Sequence, residues 1–163
     1  MTTADPSASF VQTNVSVFFA IARESLQRME LLQESGRRPK PDGEPGWILS
    51  YDPDQRGFKD AFVVIVFCGI YLEALLHLLI VQRHGDSVFK KYDRKSYGEK
   101  LSLLGCTDSS ILSGCKHYQV VRREIVHEKA HSDSKIIRWA QDEASKSAQL
   151  IESINTYLKV VMS

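Results

Sequence analysis

Apolar residues recur at steps of three and four along most of this chain, the period of a helix that turns one face to a core. Val11, Val15, Phe18, Ala22, Leu26 and Met29 form the first such stripe, and Gly36 is placed to stop it. The second stretch, from about Gly57 to His84, is apolar on every face, which predicts a buried central helix. In "SYGEKLSLLG", Ser96 and Glu99 stand at capping-box spacing and Gly105 closes the segment, predicting a short helix. Asp108 is positioned to cap the next helix, whose stripe is Ile111, Cys115, Tyr118, Val121 and Ile125 and which "HSDS" breaks. Ile137, Ala140, Ala144, Ile151, Ile154, Leu158 and Val161 line the last one. No strand alternation or repeat interrupts this pattern. The expected fold class is all-α, a helical bundle of four long helices and one short helix.

Between the first two helices, Ser35 to Pro53 holds four prolines and three glycines, so residues 35–56 are expected to be a long loop. Trp47 and Ile48 are its natural anchors on the body. Residues 1–9 read as a flexible N-terminal tail and 10–163 as a single domain, long enough to bury a core.

Composition narrows the function classes. With 43% apolar and 25% charged residues the chain is an ordinary globular one, and a formal net charge of +1 means that any nucleic-acid binding must come from a local patch. Cys68, Cys106 and Cys115 form no C-x-x-C pair, which fits reduced thiols in a cytoplasmic protein. "MTTADPSASF" has no signal-peptide pattern. Ala61–Val81 is long enough to cross a bilayer, but an amphipathic helix built to cover it favours burial in the protein over a membrane.

Two charged residues sit where the helical pattern calls for apolar ones. At 100° per residue, roughly the α-helical value, Arg122 falls inside the stripe of its helix, where an unpaired guanidinium is prohibitive. Glu73, between Leu72 and Ala74, is the only acid from Ala61 to Gly85 of the central helix and is the candidate partner. A structural Glu73–Arg122 pair that fixes helix register would account for both. His127, five residues after the arginine, adds a titratable group on the same helix, about 140° around it and about 7.5 Å along it.

"RREIVHE" and "YLEALL", on consecutive long helices of an all-α domain, resemble the HEPN superfamily of RNA-targeting proteins, whose motif is Arg, four to six residues, His. The resemblance spans about Phe10 to Val161 as architecture and is sharp over about a dozen residues. It implies metal-independent endoribonuclease chemistry with no cofactor, in a toxin–antitoxin, RNA-processing or defence setting. The RNA 2′-hydroxyl attacks the adjacent phosphate, His127 moves the proton, and Arg122 holds the phosphate and stabilises its growing charge. Glu73, Arg123 and Glu128 are the supporting residues. The resemblance also implies a homodimer with the two motifs facing each other, and an antitoxin or other protein partner. One position departs from the pattern: active members carry Asn, Asp or His directly after the arginine, and here it is Arg123.

That departure keeps a second reading open, a non-catalytic helical dimer that acts as a scaffold or binds RNA or nucleotide. A third reading takes His127-Glu128-Lys129-Ala130-His131 as the zinc-hydrolase motif, with Glu143 as a third ligand. It is weakened by Lys129 beside the metal and by the helix break at Ser132–Asp133. Among lesser signals, Lys90, Lys91, Arg94 and Lys95 around Tyr92 could guide an RNA backbone, though a solvated surface explains them as well. His117, His77 and His84 read as ordinary helix residues, and Cys115 as core.

Overall fold

The computed structural model describes residues 6–50, 52–126 and 139–160. Its long helices are α1 (Pro6–Ser35), α2 (Arg56–His84), α5 (Ser109–Val126) and α6 (Ala140–Leu158), with two seven-residue helices, α3 (Asp86–Tyr92) and α4 (Tyr97–Leu103). The architecture is all-α, as the periodicity predicts, with one short helix more than expected. Gly85, at φ 85°, ends α2 and starts α3 in a left-handed conformation that suits glycine. No residue of α3 is buried, so it leaves no apolar stripe in the sequence.

Three further expectations are corrected. The helix α1 begins at Pro6, ahead of the expected start, because proline suits a first helical turn. The loop contains a small antiparallel hairpin, β1 (Arg37–Pro39) with β2 (Trp47–Leu49), too short to show alternation. Trp47 does not anchor this loop: it stays 60% exposed, while Ile48 is half-buried. Ile137 and Val161 lie outside the described residues.

The helix starts expected at Ser96 and Asp108 are realised as written, while the break expected at "HSDS" lies outside the described residues. Ser96 and Glu99 form a reciprocal capping box at α4. The backbone N–H and the hydroxyl of Ser96 hold the Glu99 carboxyl down at about 2, with the Lys95 ammonium adding to them. At α5, Asp108 accepts from the N–H groups of Ser110 and Ile111 at 2.8 and 3.2 Å.

The helix α2 is central, packed against α1 along its length, against α6, and against α3, α4 and α5. It is long and apolar enough to cross a membrane, yet half of its most apolar window is buried inside the protein, and packing against five helices accounts for its composition as that of a core helix. Val64, Ile65, Cys68, Tyr71, Leu72, Leu76 and Ile80 are fully buried on it. From α1, Val15, Phe19, Ala22 and Met29 meet this surface, with Phe19 stacked on Tyr71 at 4.9 Å. Phe18, the residue expected there, packs half-buried beside Phe67. From α6, Ile151, Ile154 and Leu158 complete the core, and Asn155 accepts a 2.7 Å hydrogen bond from the buried Tyr71 hydroxyl. All three cysteines are buried and free, and burial pushes the Cys68 and Cys115 thiols up to about 12. They are packing residues, not nucleophiles.

Leu72→Ala, at full burial on the central helix, should cost about 2–5 kcal/mol of stability, whereas Trp47→Ala should stay within about 0.5 kcal/mol. Denaturant melts of both variants check this pair, and a large loss at Trp47 would show that the hairpin is part of the cooperative core.

Candidate functional site

The site begins at Gly69. A side-chain carbon there would fall 2.7 Å from both the Arg122 Cδ and the Tyr118 hydroxyl, so its absence lets α5 lie directly on α2. Tyr118 uses the space to donate a 2.5 Å hydrogen bond to the Ile65 carbonyl, inside the core. Arg122, one turn further along α5, runs its side chain over Gly69 towards the exposed side of α2, leaving its Nε buried with no hydrogen-bond partner among the described residues.

The guanidinium then meets Glu73. Nη1 donates to the Glu73 Oε1 at 2.6 Å and to the Tyr97 hydroxyl at 2.8 Å, and that hydroxyl donates to the same Oε1 at 2.8 Å. Three helices, α2, α4 and α5, thus close a triangle of charge-assisted hydrogen bonds. Burial works against the charged guanidinium, but the Tyr97 oxygen and Glu73 outweigh it and raise its pKa. Burial also raises the Tyr97 phenol, with Glu73 adding to it against the pull of Arg122, so the phenol keeps its proton and acts as donor.

The pair expected from sequence is present, but not in the interior. The Glu73 side chain is 49% exposed and that of Arg122 26%, so the pair lies at the rim of the bundle, where water can replace a lost partner. Deleting Arg122 therefore strands no carboxylate in the core, and the loss of about 3–5 kcal/mol that follows breaking a buried pair does not apply.

The triangle lies at the edge of an open cleft of about 1100 Å³. Among the described residues, Arg94, Lys95, Lys100, Lys116, Arg122 and Arg123 line it against two carboxylates, Glu73 and Asp93. On a chain of net charge +1 this is a local concentration of positive charge, the kind of surface that collects an anion. Lys95 is partly neutralised by Glu99 at 3.1 Å, and Lys100 is held by the Asp93 carbonyl at 2.8 Å. Of the basic run around Tyr92, Arg94 and Lys95 reach the cleft; Lys90 pairs with Asp86, and Tyr92 lines a separate groove. His77, expected to be an ordinary helix residue, lines the cleft and stacks on Phe89 with ring centres 3.9 Å apart.

Of the residues singled out from sequence, Arg122, Glu73 and Arg123 come together here. His127, Glu128 and His131 lie outside the described residues. Tyr97 was not among them, because a tyrosine after a capping serine reads as a helix start and nothing local reveals that it bridges two other helices.

A second polar contact joins α5 to α6. The His117 Nε2 lies 2.6 Å from Glu143 Oε2, and Lys146 donates to Oε1 at 3.1 Å. His117 is therefore more than the plain helix surface expected of it. The Glu143 side chain is only 8% exposed; burial works against its charge, but His117 and Lys146 outweigh that and lower its pKa. The carboxylate weighed as a third zinc ligand is thus already engaged, and among the described residues no three His, Cys, Asp or Glu side chains gather as a metal site.

Comparison with protein-family models, with curated proteins and with solved structures finds no match to this chain. The functional reading therefore rests on the site itself.

Two stability measurements probe this arrangement. Gly69→Ala should destabilise by about 1–3 kcal/mol by pushing Arg122 and Tyr118 off α2, while Arg122→Ala alone should cost about 1–2 kcal/mol, since Glu73 is left facing water. A denaturant series that finds Gly69→Ala neutral would contradict the close approach of α5.

Because folding lowers the Glu143 pKa, its ionised form stabilises the protein above the ordinary glutamate value of 4.5, and this contribution disappears as pH falls through the lower folded-state value. Glu143→Gln should therefore lose less stability than the wild type as pH falls from above 4.5 through that lower value. Parallel melts across the acid range would show it, and identical pH slopes would rule it out.

Proposed function

We propose that this chain is a metal-independent endoribonuclease of the HEPN type, acting through Arg122 and His127. The observation that carries the reading is the placement of Arg122: an arginine drawn out of an apolar stripe, held by Glu73 and Tyr97, at the edge of a cleft with five further cations. An arginine that served only helix register would need no such cleft beside it. A phosphodiester entering it would meet a guanidinium already oriented, with Glu73 and Tyr97 limiting its motion. Arg123, Lys116 and Arg94 supply charge for the flanking phosphates.

RNA brings its own nucleophile, so the chemistry needs only proton transfer and charge stabilisation, and no metal is invoked. In this proposal His127 transfers the proton and Arg122 stabilises the phosphorane-like transition state, with Glu128 supporting the imidazole. The active form would be a homodimer in the cytoplasm. An exposed apolar run on α2 supports that assembly: Phe58 and Phe62, at 49% and 39% exposure, continue through half-buried Val66 and Ile70 up to Glu73. A toxin or defence role, with an antitoxin as partner, follows only from the resemblance.

Two observations favour a second reading, an RNA- or nucleotide-binding module without catalysis. Arg123 occupies the position where active members of the superfamily carry a smaller polar group or histidine, and Arg122 Nη1 is already committed to Glu73 and Tyr97.

Purified chain incubated with mixed RNA in excess chelator should cleave it, and His127→Ala should lower the rate by about 100-fold or more while melting within about 0.5 kcal/mol of wild type. RNA bound but left intact by the wild type would select the binding module. Undiminished cleavage by His127→Ala would end the catalytic assignment, and one tightly held zinc per chain, lost in His131→Ala, would select the hydrolase reading instead.

A further inference from the structure

Cleavage by 2′-hydroxyl attack moves two protons. One leaves the nucleophile and one reaches the departing 5′-oxygen, on the far side of the phosphorus, and a single imidazole is poorly placed to attend to both. We infer that His77 is the second proton-transfer group of this site, an inference that rests on the ribonuclease reading proposed above.

The position of His77 supports this in three ways. It follows Glu73 by one turn on the same face of α2, which puts the imidazole roughly 6 Å along the helix from the carboxylate that holds Arg122. A ribose and its adjoining phosphate span that interval. The ring is also held in place: it lies nearly parallel to Phe89, at 3.9 Å and 17°, and Phe89 in turn has the Lys100 ammonium 5.9 Å from its centre. The Lys100 side chain is itself pinned by the Asp93 carbonyl, so the layer His77–Phe89–Lys100 is built from α2, α3 and α4 together. Finally, His77 is exposed to the cleft, and stacking occupies a ring face and not the ring edge.

Charged groups from four segments line the cleft with His77: Glu73 on its own helix and Asp93 from the α3–α4 turn, against Arg94 and Lys95 of that turn, Lys100 on α4, and Lys116, Arg122 and Arg123 on α5.

The step balances without a co-reactant. The 2′-oxygen bonds to phosphorus as the bond from phosphorus to the 5′-oxygen breaks. One imidazole accepts the 2′-hydroxyl proton and the other gives its proton to the 5′-oxygen, leaving a 2′,3′-cyclic phosphate and a 5′-hydroxyl. The two imidazoles finish with exchanged protonation states, which water restores.

The test uses the full chain, a fluorescent oligoribonucleotide and the variants His77→Phe and His77→Gln. His77→Phe keeps a ring on Phe89 but carries no titratable proton, so it separates chemistry from packing. Both variants should melt as the wild type does. Both should lose about 100-fold or more in kcat with KM changed by no more than about 3-fold, and the bell-shaped pH–rate profile should lose one limb. Wild-type kcat in His77→Phe, or a change confined to KM, would overturn the inference while the ribonuclease reading stands. No cleavage by the wild type at all would remove that reading first, and this inference with it.

Discussion

The close approach of α5 to α2 at Gly69 is the constraint on which the site depends. Nothing larger than a hydrogen fits between these helices there, because the Tyr118 hydroxyl and the Arg122 side chain occupy the space a methyl group would take. Tyr118 is drawn down to a backbone carbonyl of α2, and Arg122 is guided across the helix to Glu73. A bulkier residue would lift α5, leave the tyrosine hydroxyl without its acceptor and move the guanidinium away from Glu73 and Tyr97. One missing side chain thus links core packing to surface chemistry.

The polar triangle and the bundle's stability are only loosely coupled. Glu73 is half in water and Arg122 a quarter exposed, so their attraction is partly screened and the helices are held chiefly by the apolar surface of α2. The triangle instead fixes the direction of the guanidinium. Tyr97 contributes because burial keeps its phenol protonated, which makes it a donor to Glu73 and an acceptor from Arg122 at the same moment. A charge held in one orientation beside an open cleft is worth more to a phosphate than a freely moving one, since the ordering cost has been met during folding.

The cleft gathers its charge from three sources: the α3–α4 turn, α4 and α5. None of these segments is strongly basic over a long run, and acids elsewhere bring the whole chain nearly to neutrality. Folding concentrates Arg94, Lys100, Lys116 and Arg123 around one opening, while Lys90 and Lys95 are partly neutralised by neighbouring acids. An anion would therefore feel a strong local field on a protein with little net charge.

Periodicity alone determined the all-α class, the central position of α2, the stripe on α5 and the cap residues Ser96 and Asp108, because these depend on neighbours within one or two turns. The meeting of Arg122 with Glu73 was also legible, since each is a charge set among apolar residues and must find the other. Burial was not legible: a helical wheel does not show where a bundle ends, so the pattern around Glu73 reads as interior although the residue lies at the rim. Tyr97, His77 with Phe89, and His117 with Glu143 became partners only through tertiary packing, because each contact joins two different helices. The hairpin and α3 also escaped, being too short to carry a period. Sequence pattern specifies which face of each helix turns inward; the crossing of those helices decides which polar groups come within bonding distance.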